Sequence, residues 1–240
     1  MSPFDPAELA ALRLSLEVSA LAVLIAGPAG VGLGYLLARF RFPGRLLLDA
    51  LVHLPLVLTP VVVGYLLLLV FGRNGLLGPL LEALSVDLAF GFEGAVMAAA
   101  VMALPLVVRS ARAAFELVDP RLEQAAAVLG AAPGRVFWRV TLPLAAPGVV
   151  AGLVLGFARS LGEFGATITF AGSIAGETRT LPLAIYGATQ VPGGEGAALR
   201  MTLLSVAISF LALGASELFL RRLRRGGARG VGAEPQEVRR

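Results

Sequence analysis

Five long, mostly apolar runs at roughly 14–38, 50–71, 90–110, 143–170 and 199–220 dominate this 240-residue chain. About 20 such residues in an α-helix cross a hydrocarbon core about 30 Å thick. A helix also satisfies its backbone hydrogen bonds within the run, which lipid demands. The runs therefore predict an all-α, polytopic integral membrane protein of about five transmembrane helices. Composition agrees, since 57% of residues are apolar and 15% charged, too few charges for the surface of a soluble domain. The third run holds Glu93 near its start and the fourth holds Arg159 and Glu163, so these two need a reason beyond hydropathy.

Charge placement orients the runs. All 20 basic residues are arginine. Arg39, Arg41 and Arg45 lie between the first two runs, and Arg109, Arg112, Arg121, Arg135 and Arg139 lie around the connection after the third. Arg221, Arg222, Arg224 and Arg225 follow the fifth. The alternate connections, 72–89 and 171–198, hold only Arg73 and Arg179, beside Glu82, Asp87, Glu177 and Glu195. Short arginine-rich connections stay in the cytoplasm, which predicts an outside N-terminus and a cytoplasmic C-terminus. The N-terminal stretch lacks a basic start and carries Asp5, Glu8 and Glu17, so it reads as a retained span and not a signal peptide. The transmembrane unit is expected over 1–222, with a Gly-rich, charged, disordered tail at 223–240. The "RRLRR" stretch at 221–225 fits a stop-transfer and headgroup anchor.

Several chemistries are excluded. The chain has no cysteine, hence no disulfide and no Cys-based metal site. It has no lysine, so it cannot form an ATP-binding P-loop, and no nucleophile–base set stands out for an enzyme. A net charge of +4 without a basic soluble face gives no footprint for nucleic acid. The lone histidine, His53, lies one turn after Asp49 and reads as a hydrogen-bonded packing residue, so no metal site is expected. Pro55 and Pro60 should kink or unwind the second span. Gly30 and Gly34 form a small-xxx-small pair suited to close helix packing.

The cytoplasmic segment 119–140 is unlike the rest. Asp119 can cap a short helix with Pro120 at its first position. Leu122, Ala125, Ala126 and Leu129 then fall on one apolar, small-residue face. Gly130 is a candidate stop, Pro133-Gly134 breaks the run, and "RVFWRV" forms a second helical piece leading to Pro143. Two readings fit. One is a helix lying among the headgroups, anchored by Phe137 and Trp138. The other is a docking helix, whose Ala and Gly permit close approach by a cytoplasmic partner.

The fourth span carries ionisable residues within lipid, which are costly and so are functional candidates. Arg159 and Glu163 are four apart and can pair on one helix face, with Ser160 and Thr167 extending a polar stripe. Either the stripe clamps helices together or it lines a path; a neutralised pair shaping a pathway or gate suits an anion better than a carboxylate ligand.

Segment 121–144 resembles the "EAA" loop of ABC-transporter permeases, with Ala125, Ala126, Gly130, Val140, Leu142 and Pro143 at the pattern's spacings. Gln124 holds the slot usually filled by Glu, and Glu123 stands one position earlier. The stretches "FPGRLLLDALVHLPLVLTPVVVGYLLL", "FARSLGEFGATITFAG" and "GETRTLPLAIYGATQVPGGE" resemble the membrane subunit of bacterial molybdate importers, and sulfate permeases share parts of the likeness. The resemblance implies a type I importer permease that moves an oxyanion, molybdate or alternatively tungstate or sulfate, from outside into the cytoplasm. It implies that Glu123, Gln124, Ala125, Ala126, Gly130, Leu142 and Pro143 form an ATPase-coupling element, and that Arg159, Ser160, Glu163 and Thr167 belong to the pathway or gate. The implied partners are a second copy of the chain, an ABC ATPase dimer that holds ATP and Mg, and an extracytoplasmic molybdate-binding protein. No cofactor is expected in this chain. An ion-gradient transporter is the rival class; it predicts internal repeats and paired broken helices, and no repeat is visible.

Overall fold

A computed structural model describes the backbone of residues 5–228 and the side chains through Ala212. Among the described residues there is no strand. The helices are α1 (Pro6–Arg39), α2 (Arg45–Val57), α3 (Pro60–Phe71), α4 (Gly78–Ala83), α5 (Phe92–Glu116), α6 (Pro120–Val128) and α7 (Pro133–Val136). A π-helical turn (Phe137–Thr141) leads directly into α8 (Leu142–Leu161). Then come α9 (Gly165–Phe170), α10 (Leu181–Thr189) and α11 (Glu195–Ala228). Among the described residues four helical runs are long and apolar enough to cross a membrane: α1, α5, the continuous run Pro133–Leu161, and Glu195–Ala212 of α11.

The termini of these helices follow from local chemistry. α1 begins well before residue 14 because Asp5 and Glu8 form a capping box around Pro6, each side chain bonding the other's backbone N–H. The expected second span is instead two half-helices. Leu58 and Thr59 are extended, and Pro60 restarts the helix where its missing N–H costs nothing. At 12 residues α3 is about 18 Å long, too short to cross alone. The expected fourth span is also broken, at Gly162–Phe164, with α9 as its second piece. The two breaks meet. A methyl at Gly165 would lie 2.8 Å from Pro60 Cβ, and one at Gly64 would lie 2.7 Å from the Ala166 carbonyl oxygen.

At the centre stands α5, in contact with α1 on one side and α8 on the other. Fourteen of its 25 residues are buried, seven of them from Ala95 through Ala103. Backbones approach closely because glycines line both neighbours. From α1, Gly30 faces Val107 and Gly34 faces Ala111; from α8, Gly148, Gly152 and Gly156 face Ala114, Ser110 and Val107. The Gly30/Gly34 pair is thus an intrachain packing motif. Lipid supplies no hydrophobic drive between helices, so such close contact is a main source of association.

At the end away from α6, α10 folds back onto α1 and α11, burying Leu181 and Leu183 within the expected outer connection 171–198. Leu181 N–H donates to Ser15 Oγ at 2.6 Å. Here Glu8 is almost fully buried and pairs with Arg200 of α11, at 2.5 Å from Nη2 and 3.4 Å from Nε. α11 continues to Ala228, six residues beyond the boundary expected at 222. The arginine side chains of 221–225 and all of 229–240, where the tail was expected, lie outside the described residues.

Two predictions come from this packing. Gly148→Val forces side-chain atoms into Ala114, so thermal unfolding in detergent should show a loss of about 1–3 kcal/mol. The hydrogen bond from Arg200 holds the Glu8 carboxyl below its ordinary range. Its stabilisation is therefore complete above the usual carboxylate pKa of about 4.3 and is lost as pH falls through the lowered value. A thermal-stability profile taken down through that range should lose this acid-side fall in Glu8→Gln.

Candidate functional site

Asp119 caps α6 by accepting from Arg121 N–H at 2.9 Å, with Pro120 in the first turn, as the sequence leads one to expect. The helix ends at Val128, and Gly130 follows with φ of +84°, a left-handed conformation that suits glycine. Ala131 N–H reaches back to the Ala126 carbonyl at 3.1 Å, closing the end. The second piece, read as helical from "RVFWRV", comprises α7 and the π-helical turn. Pro143 accounts for the wide turn. It has no N–H to donate to the Arg139 carbonyl and its ring would crowd that group, and the chain relieves this by a wider turn in which Leu142 N–H bonds Phe137.

Of the nine residues of α6 none is buried. Its polarity is turned inside out. Val128 and Leu129 are each 87% exposed and Leu122 is exposed, as is Leu117 just before the helix. Gln124, Ala125 and Gly130 are exposed too, with Ala126 half-buried. Leu117, Leu122, Leu144 and Pro147 line an open groove of about 500 Å³ between α6 and α8. In the latter half of the pattern Leu142 is half-buried and Pro143 exposed. Glu123, also in the implied coupling element, turns the other way. Its Oε1 accepts from Arg39 Nη2 at 3.0 Å and from Thr141 Oγ1 at 2.7 Å, so it faces the bundle.

Beneath this junction lies an aromatic floor. The Tyr35 ring packs edge-on against Phe115 at 5.3 Å and Phe137 at 4.7 Å, and Phe137 meets Trp138 at 5.3 Å. Phe137 is thus a packing residue, while Trp138 is largely exposed. Nearby, Arg112 bridges Asp49 of α2 and Glu116 of α5, at 3.0 and 2.9 Å, and His53 Nδ1 bonds the Asp49 carbonyl at 2.8 Å. Arg45 donates to the Leu37 carbonyl at the end of α1 at 2.6 Å. Arg39, Arg45 and Arg112, three of the arginines that the sequence assigned to one side of the membrane, therefore lie at one end of the bundle.

The other candidate cluster forms in a different way from the one expected. Arg159 Nη1 and Glu163 Oε2 are 2.7 Å apart, close but without hydrogen-bond alignment. They do not share a helix face, because α8 ends at Leu161 and Glu163 lies in the break. The reason is a competing donor. Glu163 Oε1 accepts from Ala166 N–H at 2.7 Å and so caps the restart at α9. Ser160 donates to the Ala99 carbonyl of α5 at 3.3 Å, and Thr167 is buried on α9. The carboxylate thus holds a break together, while Ser160 ties it to the central helix.

Residues 30–225 match the family described as the binding-protein-dependent transport system inner membrane component. The chain belongs to this family. It is a multi-pass inner-membrane permease. The molybdenum transport system permease protein ModB of Escherichia coli is 55% identical over 218 residues, covering 90% of this chain and 95% of its own. The sulfate transport system permease protein CysW of Synechococcus elongatus is 40% identical over 173 residues, covering 72% of this chain and 60% of its own. The solved inward-facing structure of the MetNI methionine ABC transporter matches 93% of this permease and 99% of its own chain, with a TM-score of 0.72 at 17% identity. That likeness concerns the fold.

Removing the charge of Glu163 leaves Arg159, whose side chain is 26% exposed, without its counter-ion, a loss of about 1–3 kcal/mol. Glu163→Gln should therefore lower the thermal stability of the purified permease markedly, and Arg159→Met added to it should recover part of the loss. Equal stability of the single variant and the unaltered chain would remove the pair from any central role.

Proposed function

We infer that this chain is the membrane subunit of an ATP-driven importer carrying molybdate into the cytoplasm, and that α6 is the helix seated in a separate ATPase subunit. The observation that carries the reading is the inverted polarity of α6. A helix with its acid turned inward and Val128 and Leu129 in the open requires a cover, and an amphipathic helix laid in a partner's groove is a common way to supply one. Gln124 and Ala125 on the same open side let that partner approach closely. Kinship supports the cargo. The relative named for molybdenum transport shares far more sequence than the one named for sulfate.

In this reading the arginine-rich end, with α6, is cytoplasmic and the Glu8–Arg200 end faces outward, which puts the N-terminus outside and the C-terminus inside. Two copies meet around the path and stand on two ATPase subunits, which bind ATP and Mg. A loaded binding protein docks on the outer connections 72–89 and 171–198. The chain does no hydrolysis. It converts closure of the ATPase pair into a switch of the path from inward- to outward-facing. The Arg159–Glu163 pair is a neutral clamp that shapes the path at the break between α8 and α9.

Two measurements test this. A cysteine placed at the exposed Ala127 should crosslink readily to the ATPase in assembled membranes. Proteoliposomes holding the permease, its ATPase and a molybdate-loaded binding protein should accumulate molybdate only with ATP, with sulfate a poor competitor. Absence of the crosslink would return α6 to a headgroup-lying helix, and uptake by the chain alone on an ion gradient would replace the importer with a secondary transporter.

A further inference from the structure

The same end of the molecule holds a junction whose members lie far apart in sequence. We propose that Arg39, Glu123 and Thr141 form the joint through which movement of α6 reaches the membrane helices, with Arg39 and Thr141 as positioning residues for coupling. This rests on the reading of α6 as the ATPase-seated helix.

At nine residues α6 is too short to be stable by itself, and it buries no residue that could fix it by apolar packing. Its position is set by directional bonds. One oxygen, Glu123 Oε1, accepts from both Arg39 Nη2 at 3.0 Å and Thr141 Oγ1 at 2.7 Å. Arg39 is the last residue of α1, and Thr141, fully buried, is the last residue of the π-helical turn before α8. The same Arg39 nitrogen also donates to the Val118 carbonyl at 3.0 Å, holding the link between α5 and α6. A single carboxylate thus joins the lever to both helices that flank α5. The Arg39 and Glu123 side chains are only 16% and 21% exposed, so water screens the pair weakly.

The type of contact matters. Apolar surfaces resist separation but slide, whereas charge-assisted hydrogen bonds fix distance and angle. Tyr35, one turn before Arg39, rests on Phe137 at the start of the π-helical turn, so the aromatic floor holds the same two elements in register below the joint. Pulling on α6 loads the bonds, and pushing loads the rings.

The test uses the complete complex of permease, ATPase and molybdate-loaded binding protein in lipid nanodiscs. The reading is the ratio of ATP hydrolysis with the loaded binding protein to hydrolysis without it. Arg39→Gln and Thr141→Val should each lower this ratio by about 2- to 10-fold, the range for one hydrogen bond. Thr141→Ser, which keeps the hydroxyl, should hold the ratio near that of the unaltered complex. Arg39→Glu combined with Glu123→Arg should recover part of what Arg39→Glu alone removes. A merely structural loss lowers the amount of complex and both rates together, so it leaves the ratio intact. An unchanged ratio in both Arg39→Gln and Thr141→Val overturns the joint. A lack of stimulation in the unaltered complex would instead overturn the reading of α6 on which the joint depends.

Discussion

Backbone-to-backbone contact along α5 is the constraint on which the remaining architecture depends. In water, apolar side chains would drive α1 and α8 onto α5; in lipid they gain little by leaving one neighbour for another. What remains is the close fit allowed where side chains are absent. Gly30 and Gly34 on one side and Gly148, Gly152 and Gly156 on the other bring the two helices close enough for small residues of α5 to fill the space. With that core fixed, the ends of α1, α5 and α8 meet at one pole, where Arg39, Glu123 and Thr141 can bond. At the other pole Glu8 reaches Arg200.

The halves of the molecule differ in how they use polar groups. Near α6 the ion pairs are partly wet and link separate elements, as with Arg112 between Asp49 and Glu116. Within the bundle the polar groups repair broken helices: Glu163 caps α9, and Ser160 bonds a carbonyl of α5. Breaks are tolerable at that depth because another broken helix covers them. The contact of Gly165 with Pro60 sets the two interruptions against each other.

Much of this was legible in the sequence. Apolar run length gave the class, and Asp119-Pro120 and Gly130 gave the bounds of α6, because caps and left-handed glycines are local effects. Pro60 signalled the second helix's interruption. The break after α8 was hidden, since a four-residue spacing of Arg159 and Glu163 suits a continuous helix as well as it suits a cap. The glycines at 148, 152 and 156 repeat every four residues, yet that period by itself does not say which helix they face. The return of α10 onto α1 left no pattern, because its apolar run is short and reads as loop. The Arg39–Glu123 contact was beyond any local rule: 84 residues separate the partners, and Arg39 by itself reads only as a topology signal. Direction was equally hidden, for the spacing that marks one face of α6 as apolar does not say whether that face turns inward or out.

The wide turn at Phe137–Thr141 also fixes a phase. Consecutive residues of an α-helix are rotated by about 100°, so the number of residues in this turn decides which side of α8 meets α5. Deleting one residue there would leave every side chain of α8 chemically unchanged and yet aim Gly148, Gly152 and Gly156 elsewhere. The segment can therefore vary in side chain far more freely than in length, and its length works as the angular index that seats the lever's end of the chain on the bundle.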